Sequence, residues 1–152
     1  MLRKFLIFII CFIPWFAATL VPVDYNYYKE LILPSFAPPS IFYGIAWSIV
    51  YLLISISILC ILHSYKIKEI NYSYKISLII NYLFNQSYIL VSFGLKNNFL
   101  GFVSCVFTLV SLLFLIYEVY NLKKSCIKYL IPYLLLSLFA VVLSFSIFIL
   151  NI

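Results

Sequence analysis

Five apolar runs separated by short polar connections constrain this chain more than any other feature: about residues 5–20, 39–62, 76–95, 99–117 and 127–149. The clearest, Pro39 to Leu62, holds 24 residues without a charge. At about 1.5 Å rise per residue it makes roughly 36 Å of helix, enough to cross a hydrocarbon core of about 30 Å with some tilt. The run is rich in β-branched residues, yet an open sheet leaves its edge hydrogen bonds unsatisfied in lipid, so helix is the form that survives. The expected fold is therefore all-α, a five-helix transmembrane bundle forming one integral membrane domain over residues 1–152. Composition agrees: 66% hydrophobic and 9% charged residues leave too little polar surface to cover a water-soluble globule.

The net charge of +6 does not point to nucleic acid, because the basic residues sit in short clusters between the apolar runs. Assigning the ends alternately places Arg3, Lys4, Lys66, Lys68, Lys75, Lys123, Lys124 and Lys128 on one side, and only Lys29 and Lys96 on the other. That asymmetry predicts a multi-pass protein with a cytoplasmic N-terminus and with the C-terminus and first loop on the opposite side. Tyr25, Tyr27 and Tyr28 at one boundary, and Tyr65, Tyr72, Tyr74, Tyr117, Tyr120 and Tyr129 at the other, read as interfacial anchors. The start, "MLRKFLIFIICFIPWFAATL", has the basic head and apolar middle of a secretory signal. Its length and the lack of an A-x-A end favour a retained helix instead.

Inside the runs, no Asp, Glu, Lys or Arg falls near a centre, which disfavours an ion-coupled transporter. Asn81, Asn85, Tyr88 and Ser92 recur at steps of four, three and four, so they share one helical face. Such a polar stripe serves either interhelical hydrogen bonds or a cavity with a ligand, and spacing alone does not choose. Ser40, Gly44 and Ser48, and likewise Ala140 and Ser144, are small residues four apart and read as close helix packing. Trp47 lies beside the first small stripe, so its ring is expected to face the bundle. Cys11, Cys60, Cys105 and Cys126 lack C-x-x-C spacing or paired histidines and read as small buried hydrophobes rather than metal ligands. His63, the single histidine, reads as interfacial.

Residues 23–38 form a proline-dense connection into the second run. Pro34, Pro38 and Pro39 fix φ and remove backbone donors, which predicts a stiff, extended lid and a helix starting at Pro39 or Ser40. Tyr27, Tyr28 and Phe36 would then sit over the mouth of the bundle, an arrangement suited to a flat, largely apolar ligand.

These residues carry a family resemblance. "YYKELILPSFAPPSIFYGIAWSIVY", Tyr27 to Tyr51, "NQSYILVSFGLKN" from Asn85 and "PYLLLSLFAVVLSFSIFILN" from Pro132 resemble the motifs of the TspO/translocator protein family, also called the tryptophan-rich sensory or peripheral benzodiazepine receptor family. The resemblance implies a five-helix membrane protein, often dimeric, that binds porphyrins and haem-related tetrapyrroles, with no obligatory cofactor. Carried over by motif, Tyr28, Pro34, Trp47, Asn85, Tyr88, Leu136 and Ala140 are the expected ligand-binding residues, with no catalytic group and no metal. Departures narrow this. Leu136 and Tyr88 stand where the family motifs have tryptophan, and Ser144 stands for an asparagine.

The expected role is a membrane receptor or sensor for a porphyrin-like ligand, involved in its transport or regulation. The alternatives are a light-dependent porphyrin-degrading enzyme, disfavoured by Leu136, and an uncoupled lipid or tetrapyrrole transporter. Sterol is disfavoured as a ligand because the chain ends "SFSIFILNI" without a basic residue. The lipid bilayer, a hydrophobic small molecule and a second copy of the chain are the expected partners.

Overall fold

The first apolar run does not form one uniform helix. A computed structural model describes residues 2–22 and 24–152, the side chains of 2–4 and 25 excepted, so the expectations placed on Arg3, Lys4, Val23 and Tyr25 lie outside the described residues. Helix α1, Leu2–Phe12, gives way at Pro14 to a 3-10 segment, Ile13–Leu20. Proline removes a donor and crowds the preceding turn, so the tighter winding begins where it enters. So long a 3-10 run is uncommon and leaves poorly paired backbone groups. Side chains of a later helix supply the missing partners: Gln86 accepts from the Ala18 amide at 2.8 Å and donates to the Trp15 carbonyl at 3.1 Å. The Tyr82 hydroxyl donates to the Pro14 carbonyl at 3.0 Å.

The lid is not simply extended. Asp24 accepts from the amides of Asn26 (2.9 Å) and Tyr27 (3.3 Å) and so caps a short helix, α2, Tyr25–Glu30. Three ties then fasten the lid to the bundle. Lys96 donates to Asp24 at 2.8 Å and the Tyr27 hydroxyl to Asn98 at 3.0 Å. Asn151 clamps Ile32 from both sides, accepting from its amide and donating to its carbonyl, each at 2.9 Å. Pro39, at φ −56° and ψ 147°, leads into α3 at Ser40, as the proline rule anticipates.

Among the described residues, four helices are long and apolar enough to cross a membrane: α3 (Ser40–Ser64), α4 (Tyr72–Ile89) with its continuation to Gly94, α5 (Asn98–Lys123) with its continuation to Tyr129, and α6 (Ile131–Leu150). The stretch Phe5–Leu20 is a shorter apolar helix. The protein is thus an all-α, multi-span integral membrane protein. Two boundaries move outward from the hydropathy pattern for polar reasons. Asn71 caps α4 by accepting from Tyr74, starting that helix at Tyr72. Past Tyr117, Glu118 accepts from Ser73 (2.6 Å) and Asn71 (3.2 Å), so α5 continues to Lys123 with its carboxylate already partnered.

The α4–α5 and α5–α6 pairings are the most extensive, whereas α3 and α6 touch only sparingly. The core comprises Leu112, Leu115 and Val119 of α5, Tyr133 of α6, and Ile54 and Ile61 of α3, with Trp15 from the 3-10 segment. α4 widens into a π-helical turn, Leu90–Gly94, and Ser92 of that turn presses against Gly101 of α5. A side chain at Gly101 would collide with the Ser92 hydroxyl, which would have to turn away and still leave the Ser92 Cβ 3.2 Å distant, so the close approach favours glycine there.

The reading of all four cysteines as unpaired hydrophobes is corrected. Cys60, near the end of α3, is joined by a disulfide to Cys126 in the 3-10 segment Lys124–Tyr129 that follows α5, while Cys11 and Cys105 are free. Their separation of 66 residues hides the pairing from any local motif.

Candidate functional site

Beneath the lid lies an internal cavity of about 340 Å³. Its wall is largely aromatic: Trp47 and Tyr51 from α3, Tyr88 from α4, Tyr28 from the lid helix and Trp15 from the 3-10 segment. Among the described residues, no charged side chain lines it.

A hydrogen-bonded chain fixes one side of this wall. The Tyr51 hydroxyl donates to Asn85 Oδ1 at 3.0 Å, and Asn85 Nδ2 donates to the Tyr133 hydroxyl at 3.1 Å. Tyr133 donates onward to Asn81 Oδ1 at 3.0 Å, and Asn81 donates to the Thr108 carbonyl (3.1 Å) and the Ser111 hydroxyl (3.0 Å). Gln86 joins by donating to Asn85 Oδ1 at 3.1 Å. Four helices are thereby pinned together through one asparagine pair, and the network holds the rings in place: Trp47 sits 5.8 Å from Tyr51 and 6.0 Å, edge to face, from Tyr133. Trp15 stacks on the other side of Tyr51 at 5.5 Å. Offset and edge-to-face pairs of this kind add about 0.5–1.5 kcal/mol each beyond the area they bury, which helps to fix the rings.

The polar stripe on α4 therefore divides. Asn81 is wholly buried and spent on interhelical bonds, whereas Asn85, Tyr88 and Ser92 also line the cavity. Asn85 stands in both roles, since its carbonyl oxygen takes two donors and one of its two amide hydrogens remains uncommitted.

Of the seven expected ligand-binding residues, Tyr28, Trp47, Asn85, Tyr88, Leu136 and Ala140 lie together on the cavity wall. Pro34 does not. Its carbonyl accepts from the Ala37 amide at 2.9 Å, so it shapes the lid turn. Phe36 also departs from its expected place over the mouth: it packs edge to face on Phe139 at 6.3 Å, on the outer side of the bundle. The small residues Gly44 and Ser48 do not serve close packing as their spacing suggested. They line the cavity, and a side chain at Gly44 would meet open space.

Sequence reasoning missed Trp15, Tyr43, Tyr51, Gln86 and Ser137. Tyr51 could have been found, since it lies one turn beyond Trp47 and ends the proline-aromatic motif. Ser137 carries no such signal. Its hydroxyl is, among the described residues, the one buried side-chain polar atom without a hydrogen-bond partner, and Ser137 belongs to the cavity wall. A buried polar atom of this kind is a standing demand for a partner.

The pair outside the membrane is electrostatically distinct. The hydrogen bond from Lys96, aided by the amides of Tyr27 and Asn26, holds the Asp24 carboxyl below its ordinary value, and Asp24 in turn raises Lys96. Lys96 adopts φ 50°, a left-handed conformation that turns the chain between the π turn and α5 and points its ammonium at the lid.

Fold and cavity together define a multi-span helical membrane protein with an aromatic, uncharged chamber under a tethered lid. The description of the TspO/MBR family matches residues 5–150, and the chain belongs to that family. It is 33% identical over 135 residues to the tryptophan-rich protein TspO of Bacillus cereus, covering 89% of this chain and 87% of the relative. It is 29% identical over 128 residues to the tryptophan-rich protein TspO of Archaeoglobus fulgidus, covering 83% and 80%. The membrane protein YtaB of Bacillus subtilis is 31% identical over 131 residues, covering 86% and 84%.

Proposed function

We propose that this protein is a membrane receptor or sensor that binds a tetrapyrrole, or a similarly flat hydrophobic molecule, in the cavity beneath the lid, and thereby takes part in its transport or regulation. The observation that carries the reading is the chamber itself, walled by Trp15, Trp47, Tyr51 and Tyr88 and free of charged side chains among the described residues. Ligand pockets run from about 300 to 1,000 Å³ and are mostly apolar with a few polar groups that fix orientation. Asn85, with one uncommitted amide hydrogen, and the Tyr88 hydroxyl are those groups here. With no cation in the wall, carboxylate substituents of a porphyrin stay at the membrane surface while the macrocycle is buried, because an unpaired buried charge is prohibitive.

The reading includes five crossings. α1 contributes about 16 Å and the 3-10 segment, at about 2 Å per residue, a further 16 Å or so, which together match a hydrocarbon core of about 30 Å. The basic asymmetry supports a cytoplasmic N-terminus, with the lid and C-terminus on the opposite side. A homodimer is part of the same proposal.

The test is titration of the purified protein with protoporphyrin IX while tryptophan fluorescence is followed. Saturable quenching that weakens in Trp47→Phe and Asn85→Ala is the expected result. No saturable quenching, or quenching indifferent to both substitutions, removes the reading.

A further inference from the structure

A second hollow lies on the outside of the bundle, between α3 and α6. It measures about 670 Å³ and is lined by apolar residues throughout, among them Phe42, Ala46 and Ile49 of α3, and Leu135 of α6. Lipid-facing apolar surface is ordinary in a membrane protein. What distinguishes this hollow is its back wall, because Leu136 and Phe139 line it and also line the internal cavity. These two side chains therefore form a wall common to the chamber and the groove, where α3 and α6 touch only sparingly. Both are half-buried, on a helix whose neighbouring Ala140 leaves little bulk behind them.

The opposite approach, from water through the lid, is fastened. Lys96 holds Asp24, Asn98 holds Tyr27 and Asn151 holds Ile32, so opening the lid breaks several hydrogen bonds. Leu136 and Phe139 stand one turn apart on α6, facing α3, and displacing these two apolar side chains breaks no side-chain hydrogen bond. The lid even assists at that edge, because its Phe36 rests on Phe139 and roofs the upper end of the hollow.

We infer that the groove between α3 and α6 is a vestibule for the cavity's ligand: an apolar, ring-shaped molecule dissolved in the bilayer docks there and enters the chamber sideways between the two helices, past Leu136 and Phe139. The inference rests on the binding role proposed above and adds to it the source of the ligand, which is the membrane and not the aqueous phase.

The experiment is stopped-flow quenching of tryptophan in phosphatidylcholine proteoliposomes mixed with protoporphyrin IX, with protein-free liposomes used to subtract partitioning into the bilayer. Ala46→Trp fills the groove at a residue that does not line the cavity, and is expected to slow both association and dissociation about tenfold while leaving the equilibrium affinity within about twofold. Phe139→Ala opens the gap and is expected to accelerate both rates at least fivefold. Either variant alone decides the matter if the other does not fold. Rates unchanged in both variants overturn the lateral route while equilibrium binding persists. Loss of saturable equilibrium quenching in the wild-type protein overturns the binding role and the route with it.

Discussion

Replacing Asn85 by alanine tests whether the cavity wall is held by the bundle's own hydrogen bonds. The substitution removes the donor to Tyr133 (3.1 Å) and the acceptor used by Tyr51 (3.0 Å) and Gln86 (3.1 Å). Tyr133 keeps its bond to Asn81, and Gln86 keeps its hold on Trp15 and Ala18, but Tyr51 loses its hydroxyl partner. Two of the lost bonds run between helices, and bonds of that kind average about 0.6 kcal/mol, with a maximum near 1.7. Adding the stranded Tyr51 hydroxyl, at about 1–3 kcal/mol, the expected loss is about 2–4 kcal/mol. Reversible unfolding in mixed dodecylmaltoside and dodecyl sulfate micelles measures it, and a double-mutant cycle with Tyr51→Phe isolates the shared bond at roughly 0.6 kcal/mol or more. Strict additivity of the two substitutions, or a stability loss in Asn85→Ala below about 0.3 kcal/mol, would refute the network as the source of the wall's rigidity.

Two further outcomes are expected. Gly101→Ala places a methyl group against Ser92 and is expected to destabilise the protein by about 1–3 kcal/mol in the same micelle assay, with most of the loss recovered in the Gly101→Ala, Ser92→Gly double variant; failure of that rescue would show that the contact is not the cause. The Asp24–Lys96 tie gives the lid a pH window. The depressed Asp24 contributes fully above the ordinary carboxylate value near 4 and is lost as pH falls through its lowered value, whereas the raised Lys96 contributes fully below the ordinary lysine value near 10.4 and is lost as pH rises beyond it. A fluorophore on Lys29→Cys, in a Cys11→Ser, Cys105→Ser background, is therefore expected to report a small rise in lid mobility at both extremes, since the Tyr27–Asn98 and Ile32–Asn151 ties persist, with the acid change abolished in Asp24→Asn.

Much of the fold was legible because its cause is local. An uncharged run of sufficient length must be helical in lipid, and α3 begins where Pro39 releases it. The first run was legible as apolar but not as 3-10, since what sustains that winding is Gln86, 68 residues beyond Ala18. The site divides along the same line. Tyr28, Trp47, Asn85, Tyr88, Leu136 and Ala140 could be named from motifs, while Ser137 and the cavity role of Gly44 could not. Spacing places Gly44 on a face of small residues without saying whether a helix or an empty space lies opposite.

By itself, then, the sequence determined that this is a helical membrane protein with a proline-stiffened, aromatic first loop, because hydropathy, chain length and the loss of φ freedom at proline act within a few residues. Tertiary structure decided which members of the α4 stripe are spent on neighbouring helices and which face a cavity. It also decided that Cys60 meets Cys126, and that Leu136 and Phe139 line both the chamber and the groove. Those outcomes depend on how each helix is rotated about its own axis and on which surfaces distant segments bring together, and no local pattern specifies either.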